Sequence, residues 1–114
     1  MEQDVQVQMD KVLDRVRSKF LASLNHRIAA LDQLSTFLKQ EDLRERSLEE
    51  IRTHAHQIHG IAGLADCARM GSLAGQLETY IDKVLACGDP SDVEFVVQLL
   101  DALLDDIEAV VDAL

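Results

Sequence analysis

The side chains with the most chemistry to offer sit together in one stretch, His54-Ala55-His56-Gln57-Ile58-His59-Gly60-Ile61-Ala62-Gly63-Leu64. On a helix turning about 100° per residue, with His56 at the origin, Ile51, Ile58, Ile61, Ala62 and Ala65 all fall about 120° to 180° away. That arc is the expected buried side. Arg52 at about −40°, His59 at about −60°, Gly60 at about +40° and Gly63 at about −20° share the His56 face, whereas His54, at about 160°, points into the apolar arc. An outward imidazole is a nucleophile near neutral pH through its unprotonated nitrogen. The two glycines add a second property to that face. Each costs roughly 1 kcal/mol in a helix interior relative to alanine. No core packing asks for them on the outward side, so bare backbone beside His56 reads as room for another protein surface. A solvated histidine on a helix that tolerates glycine is the plainer alternative.

Four amphipathic helices are needed to hold this stretch. Val12, Leu13, Val16, Phe20, Leu24, Ile28, Leu31, Leu34 and Leu38 recur at helical spacing and form one stripe that starts as early as Val5. The polar run Lys39-Gln40-Glu41-Asp42 interrupts it. Ser47-Leu48-Glu49-Glu50 has the pattern of a capping box, which predicts a second helix from Ser47 to about Leu64. Asp66 is the expected N-cap of a third helix carried by Met70, Leu73, Leu77, Ile81 and Val84. Gly88, Asp89 and Pro90 suit a left-handed C-terminal residue, an N-cap and a first helical position in turn. Val93, Val96, Leu100, Leu103, Ile107, Val110 and Leu114 then face inward from the fourth helix. Short joints between amphipathic helices predict an all-α, antiparallel up-down-up-down four-helix bundle over residues 1–114 as one domain. Residues 2–10 read either as a separate short N-terminal helix or as a frayed start.

Composition narrows the function. The 114 residues hold 21 acidic and 11 basic side chains, for a net charge of −10. Such a chain repels nucleic acid and anionic membranes. No apolar run approaches the roughly 18 residues of a membrane span, and the polar start Met1-Glu2-Gln3-Asp4 is not expected to be a signal peptide. Residues 1–57 are nearly neutral, with nine bases and ten acids, whereas residues 58–114 set only Arg69 and Lys83 against eleven acids. This asymmetry is either a solubilising surface or a device for choosing partners by sign. Cys67 and Cys87 make neither a CxxC pair nor a disulfide framework, which points to a reducing, cytoplasmic setting.

The run His56-Gln57-Ile58-His59-Gly60-Ile61-Ala62-Gly63 resembles the motif of the histidine-containing phosphotransfer (HPt) family, His-x-hydrophobic-Lys-Gly-x-(Ser/Ala). The family also places a Glu or Gln on the next helix after a Leu-rich stretch, and Leu73-Ala74-Gly75-Gln76-Leu77-Glu78 supplies it. The resemblance implies that His56 accepts a phosphoryl group on Nε2, and that Glu78 accepts a hydrogen bond from Nδ1–H and fixes the tautomer. It makes Gly60, with Gly63 and Arg52, part of the face on which a response-regulator receiver domain or a sensor histidine kinase docks. Ala62 falls at the Ser/Ala position. Two departures are visible. His59 stands where the family carries lysine, so a cation beside the phosphoryl group requires a protonated imidazole, or else the permanent charge of Arg52. Asp66 stands where the family carries a glycine that ends the helix. The resemblance further implies a monomer without a cofactor of its own, the Mg²⁺ and acid/base groups coming from the partner's aspartate pocket.

Three rivals remain at this level. His56 and His59, three residues apart, could share a metal ion with Glu78. However, no histidine has a glutamate three residues before it, as di-iron bundles require. A non-catalytic adaptor of the same shape is the second. A hydrolase or other enzyme is the third, and neither a Ser/His/Asp or Cys/His set nor a glycine-rich phosphate loop supports it.

Overall fold

A computed structural model describes residues 2–87 and 93–114, and these form four helices: α1 Glu2–Phe37, α2 Glu41–Ala62, α3 Ala68–Cys87 and α4 Val93–Ala113. The all-α antiparallel bundle expected from the hydrophobic spacing is the fold. Its core takes Phe20, Leu24, Leu31, Leu34 and Leu38 from α1 and Ile51, Ala55, Ile58 and Ala62 from α2. Met70, Ala74, Leu77, Ile81 and Val84 of α3 meet Val96, Leu100, Leu103, Leu104 and Ile107 of α4 in the same interior.

The chain start is neither a separate helix nor a frayed one. Residues 2–10 continue without a break into α1, which runs for 36 residues. At 1.5 Å per residue such a helix is about 54 Å long, close to the 57 Å longest dimension of the molecule. Its first part extends past the bundle, so Val12 is exposed rather than inward. Leu114, expected to face the core, is 74% exposed, because α4 ends at Ala113.

The joints also differ from the capping signals. α2 opens six residues before Ser47, with Gln40 in an extended conformation at the N-cap and Glu41 and Asp42 favourably placed in the positive first turn. Ser47 is buried inside the helix, and its hydroxyl donates to the Leu43 carbonyl at 2.8 Å. That bond satisfies the hydroxyl locally and removes any need for it to cap. Arg44 instead secures the joint, donating from Nε to the Leu38 carbonyl at 2.9 Å.

Asp66 does not cap α3. It adopts φ 58, the left-handed region, while the Cys67 N–H reaches back to the Ala62 carbonyl at 2.8 Å. Asp66 therefore closes α2 in the manner of a C-terminal glycine, a conformation that aspartate tolerates better than most residues. The expected reversal at Gly88, Asp89 and Pro90 lies outside the described residues. Among the described residues, no helix is long and apolar enough to cross a membrane.

Candidate functional site

α2 and α3 run antiparallel in close contact, and small residues set their separation. A Cβ added at Gly71 would lie 3.2 Å from the Cβ of Ala62, and one added at Gly75 would lie 2.8 Å from Nδ1 of His59. The polar side chains along the outer seam keep one register: Arg52 with Asp82, His56 with Glu78, and His59 over Gly75. Each step up α2 is matched by the same step down α3.

His56 occupies the middle of this seam. Its side chain is 73% exposed, and Nδ1 lies 2.7 Å from Oε1 of Glu78, which is itself only 17% exposed. An ionised carboxylate only accepts, so Nδ1–H donates to Glu78 and the lone pair of the neutral ring falls on Nε2. Ile58, Ala55 and Ile51 anchor the other side of α2 in the core and hold the ring outward. Gly60 and Gly63 are both exposed, and a Cβ at either would meet nothing within 4 Å. Neither glycine is required by the packing of the chain itself.

His59 lies on the same face but turns towards α3. Its Nδ1–H donates to the Gly71 carbonyl at 2.9 Å, and the ring rests on the bare backbone of Gly75. It borders an open groove of about 510 Å³ that runs past Gln76, Thr79 and Lys83 to Tyr80 and Phe95. Arg52, expected as a permanent cation on the docking face, forms an ion pair with Asp82. Asp82 and the two α3 glycines were not singled out in the sequence. The available signal was the Gly71-x-x-x-Gly75 spacing, which marks a helix face open to close approach.

His54 is not swallowed by the apolar arc. It is half-buried at the α1–α2 seam, where Nη1 of Arg27 donates to its Nδ1 at 3.0 Å and to Oε1 of Gln57 at 3.0 Å. Burial, then the charges of Arg27 and His26, lower the His54 pKa below its ordinary value, against an opposing pull from Glu50. The tautomer is therefore opposite to that of His56, with the proton on Nε2. Nε of Arg27 is buried without a hydrogen-bond partner among the described residues, and burial lowers the pKa of that guanidinium. Cys67 and Cys87 are both unpaired. Burial, followed by Asp106 and Asp66, raises the Cys67 pKa, which keeps the thiol protonated and a weak nucleophile. Among the described residues, no three His, Cys, Asp or Glu side chains gather as they would around a metal ion.

One outward imidazole, oriented by a mostly covered carboxylate and flanked by open backbone, can accept an electrophile from a second protein and hand it on. A family model described as "Hpt domain" matches residues 15–113. No curated protein and no solved structure matches the chain.

Proposed function

The chain belongs to the Hpt domain family, and from that premise we propose that it is a phosphorelay intermediate whose phosphoryl-accepting residue is His56. The observation that carries the reading is the 2.7 Å contact between His56 Nδ1 and Glu78 Oε1 on a ring exposed to solvent. Nε2 attacks the phosphorus of an aspartyl phosphate on a receiver domain. The N–P bond forms as the P–O bond to the aspartate breaks, the receiver carboxylate leaves, and the ring becomes a phosphoimidazolium. Glu78 faces the positive charge that develops at Nδ1–H and stabilises it. Reversal of the same steps returns the group to a receiver.

The Mg²⁺ and acid/base groups of this exchange belong to the partner's aspartate pocket, so the chain acts as a carrier without a cofactor, kinase or hydrolase activity of its own. Gly60 and Gly63 give the receiver its approach. Arg52, neutralised by Asp82, contributes position more than net charge to the docking face. His59, held on α3 by the Gly71 carbonyl, keeps its second nitrogen available beside the site. The excess of acidic over basic residues in 58–114 disfavours acidic partners. The two unpaired thiols support a cytoplasmic location.

The test is incubation with a receiver domain phosphorylated on its aspartate, followed by analysis of the label. Acid-labile, alkali-stable phosphate on the wild type and none on a folded His56→Gln variant is the expected result. Label on that variant at another histidine overturns the assignment.

A further inference from the structure

His56 and His59 share more than a helix face. His56 donates Nδ1–H to Glu78 across 2.7 Å, and His59 donates Nδ1–H to the Gly71 carbonyl across 2.9 Å. A carbonyl oxygen and an ionised carboxylate only accept, so both neutral rings keep the proton on Nδ1 and the lone pair on Nε2. Both residues are exposed. The seat of the second ring is built into α3. A methyl group at residue 75 would fall 2.8 Å from Nδ1 of His59, so the bare backbone of Gly75 is what lets the ring lie there. Residues three apart on a helix set their Cβ atoms about 5–6 Å apart. Two imidazoles can close that spacing around one ion, with metal–nitrogen bonds of about 2.0–2.1 Å. We propose that Nε2 of His56 and Nε2 of His59 together bind a divalent transition-metal ion of the class that takes imidazole nitrogen, such as zinc, and that the ion reversibly blocks the phosphoryl-accepting nitrogen.

The outer partners of the two rings distinguish this pair from ordinary surface histidines. A metal-binding histidine hands its other N–H to a carboxylate or a backbone carbonyl, which fixes the ring and makes the ligating nitrogen more basic. Glu78 and the Gly71 carbonyl are one of each. Glu78 therefore supports one ligand instead of serving as a third. Charge on the seam also suits a cation. Its polar pairs include one permanent positive charge, Arg52, and Asp82 neutralises it. Residues 58–114, which include His59, set eleven acids against Arg69 and Lys83 and draw cations towards that half of the chain. Among the described residues, no third His, Cys, Asp or Glu joins the pair, so water fills the remaining positions and the ion stays exchangeable. No proton has to leave either neutral ring; two nitrogens replace two waters of the hydrated ion. The lone pair that attacks phosphorus is also the one that binds the ion, so metal and phosphoryl group exclude each other at His56. That consequence rests on the phosphorelay reading, whereas binding itself depends on the two rings alone.

Zinc chloride is titrated calorimetrically into the full chain in a Cys67→Ser/Cys87→Ser background, which removes the competing thiols. One ion per chain should bind with a dissociation constant of about 1–100 µM, far weaker than a four-ligand structural site. His56→Gln and His59→Ala should each raise that constant at least about tenfold, and Glu78→Gln should raise it about 10–100-fold. His26→Gln and His54→Gln should leave it unchanged. Saturating zinc should slow phosphoryl transfer from a receiver to the chain at least about tenfold, and a chelator should restore the rate. The phosphate lifetime of the receiver alone, with and without zinc, corrects for any action of the ion on the partner. No binding below about 1 mM, binding that either His56→Gln or His59→Ala leaves intact, or corrected transfer undiminished in saturating zinc would each overturn the proposal. Phosphoryl acceptance is measured first without metal, so a failure of the phosphorelay reading shows there, separately from a failure to bind zinc.

Discussion

Glu78 holds the His56 ring from the far side of the α2–α3 seam, 22 residues away in the chain and 2.7 Å away in space. The carboxylate is mostly covered and the imidazole mostly exposed, so the covered partner orients the exposed one. Glu78→Ala should therefore slow phosphoryl transfer to His56 by about 10–100-fold while the bundle remains folded. Glu78→Gln keeps an acceptor but loses the charge, and should fall between. Stopped-flow transfer from a phosphorylated receiver gives the rates, and nitrogen NMR shifts of the His56 ring report the tautomer. Wild-type rates in Glu78→Ala would remove the carboxylate from the mechanism.

Gly60 separates stability from docking. Nothing lies within 4 Å of a Cβ placed there, and alanine is the better helix former by about 1 kcal/mol. Gly60→Ala should raise unfolding stability by ~0.5–1 kcal/mol. A large residue at the same position should leave stability close to wild type and weaken receiver binding at least about tenfold, a difference of about 1.4 kcal/mol. Urea denaturation and receiver titration, measured on the same variants, should move independently.

Much of this is legible in the sequence, because helical periodicity and an outward histidine are local properties. Four helices, the core residues from Phe20 onward and the facing of His56 all follow from 3.6-residue spacing. The joints were not legible, because capping signals compete. Ser47 and Glu50 match a cap by pattern, but the bonds of Ser47 to Leu43 and of Arg44 to Leu38 place the turn earlier. Asp66 looks like an N-cap by type and takes a glycine's conformation because the chain must reverse there. Pairings across the seam were legible only in part. The family resemblance placed Glu78 beside His56, whereas Asp82 beside Arg52 depends on the α2–α3 register, which the close approach at Gly71 and Gly75 sets.

His59 and Gly75 form a coupled pair. A methyl group at residue 75 would fall 2.9 Å from Cε1 of the ring and 2.8 Å from Nδ1, so the ring must leave and its bond to Gly71 must break. Losing that bond removes about 0.5–1.5 kcal/mol, while alanine in the helix returns about 1 kcal/mol. Gly75→Ala should thus change stability little in the wild type. It should stabilise a His59→Ala background by roughly 1 kcal/mol. A double-mutant cycle by urea denaturation measures the coupling, and equal effects in both backgrounds would show that the ring and the glycine act independently.

His54 gives the bundle a dependence on pH at the α1–α2 seam. Partial burial is the main cause of its lowered pKa, with Arg27 and His26 adding to it and Glu50 opposing. The unfolded chain therefore takes up the proton more readily than the native one. Native stability from this residue is complete above the unfolded histidine pKa, about 6.5. It declines as the pH falls through that value towards the lower native one. His54→Gln keeps an acceptor for Arg27 and cannot titrate. The stability of the wild type relative to this variant should fall as the pH drops from about 7.5 through the unfolded histidine pKa, measured by urea denaturation at each pH. A difference that stays flat, or grows in acid, would mean that burial and the charge of Arg27 do not suppress the charged imidazole in the native state.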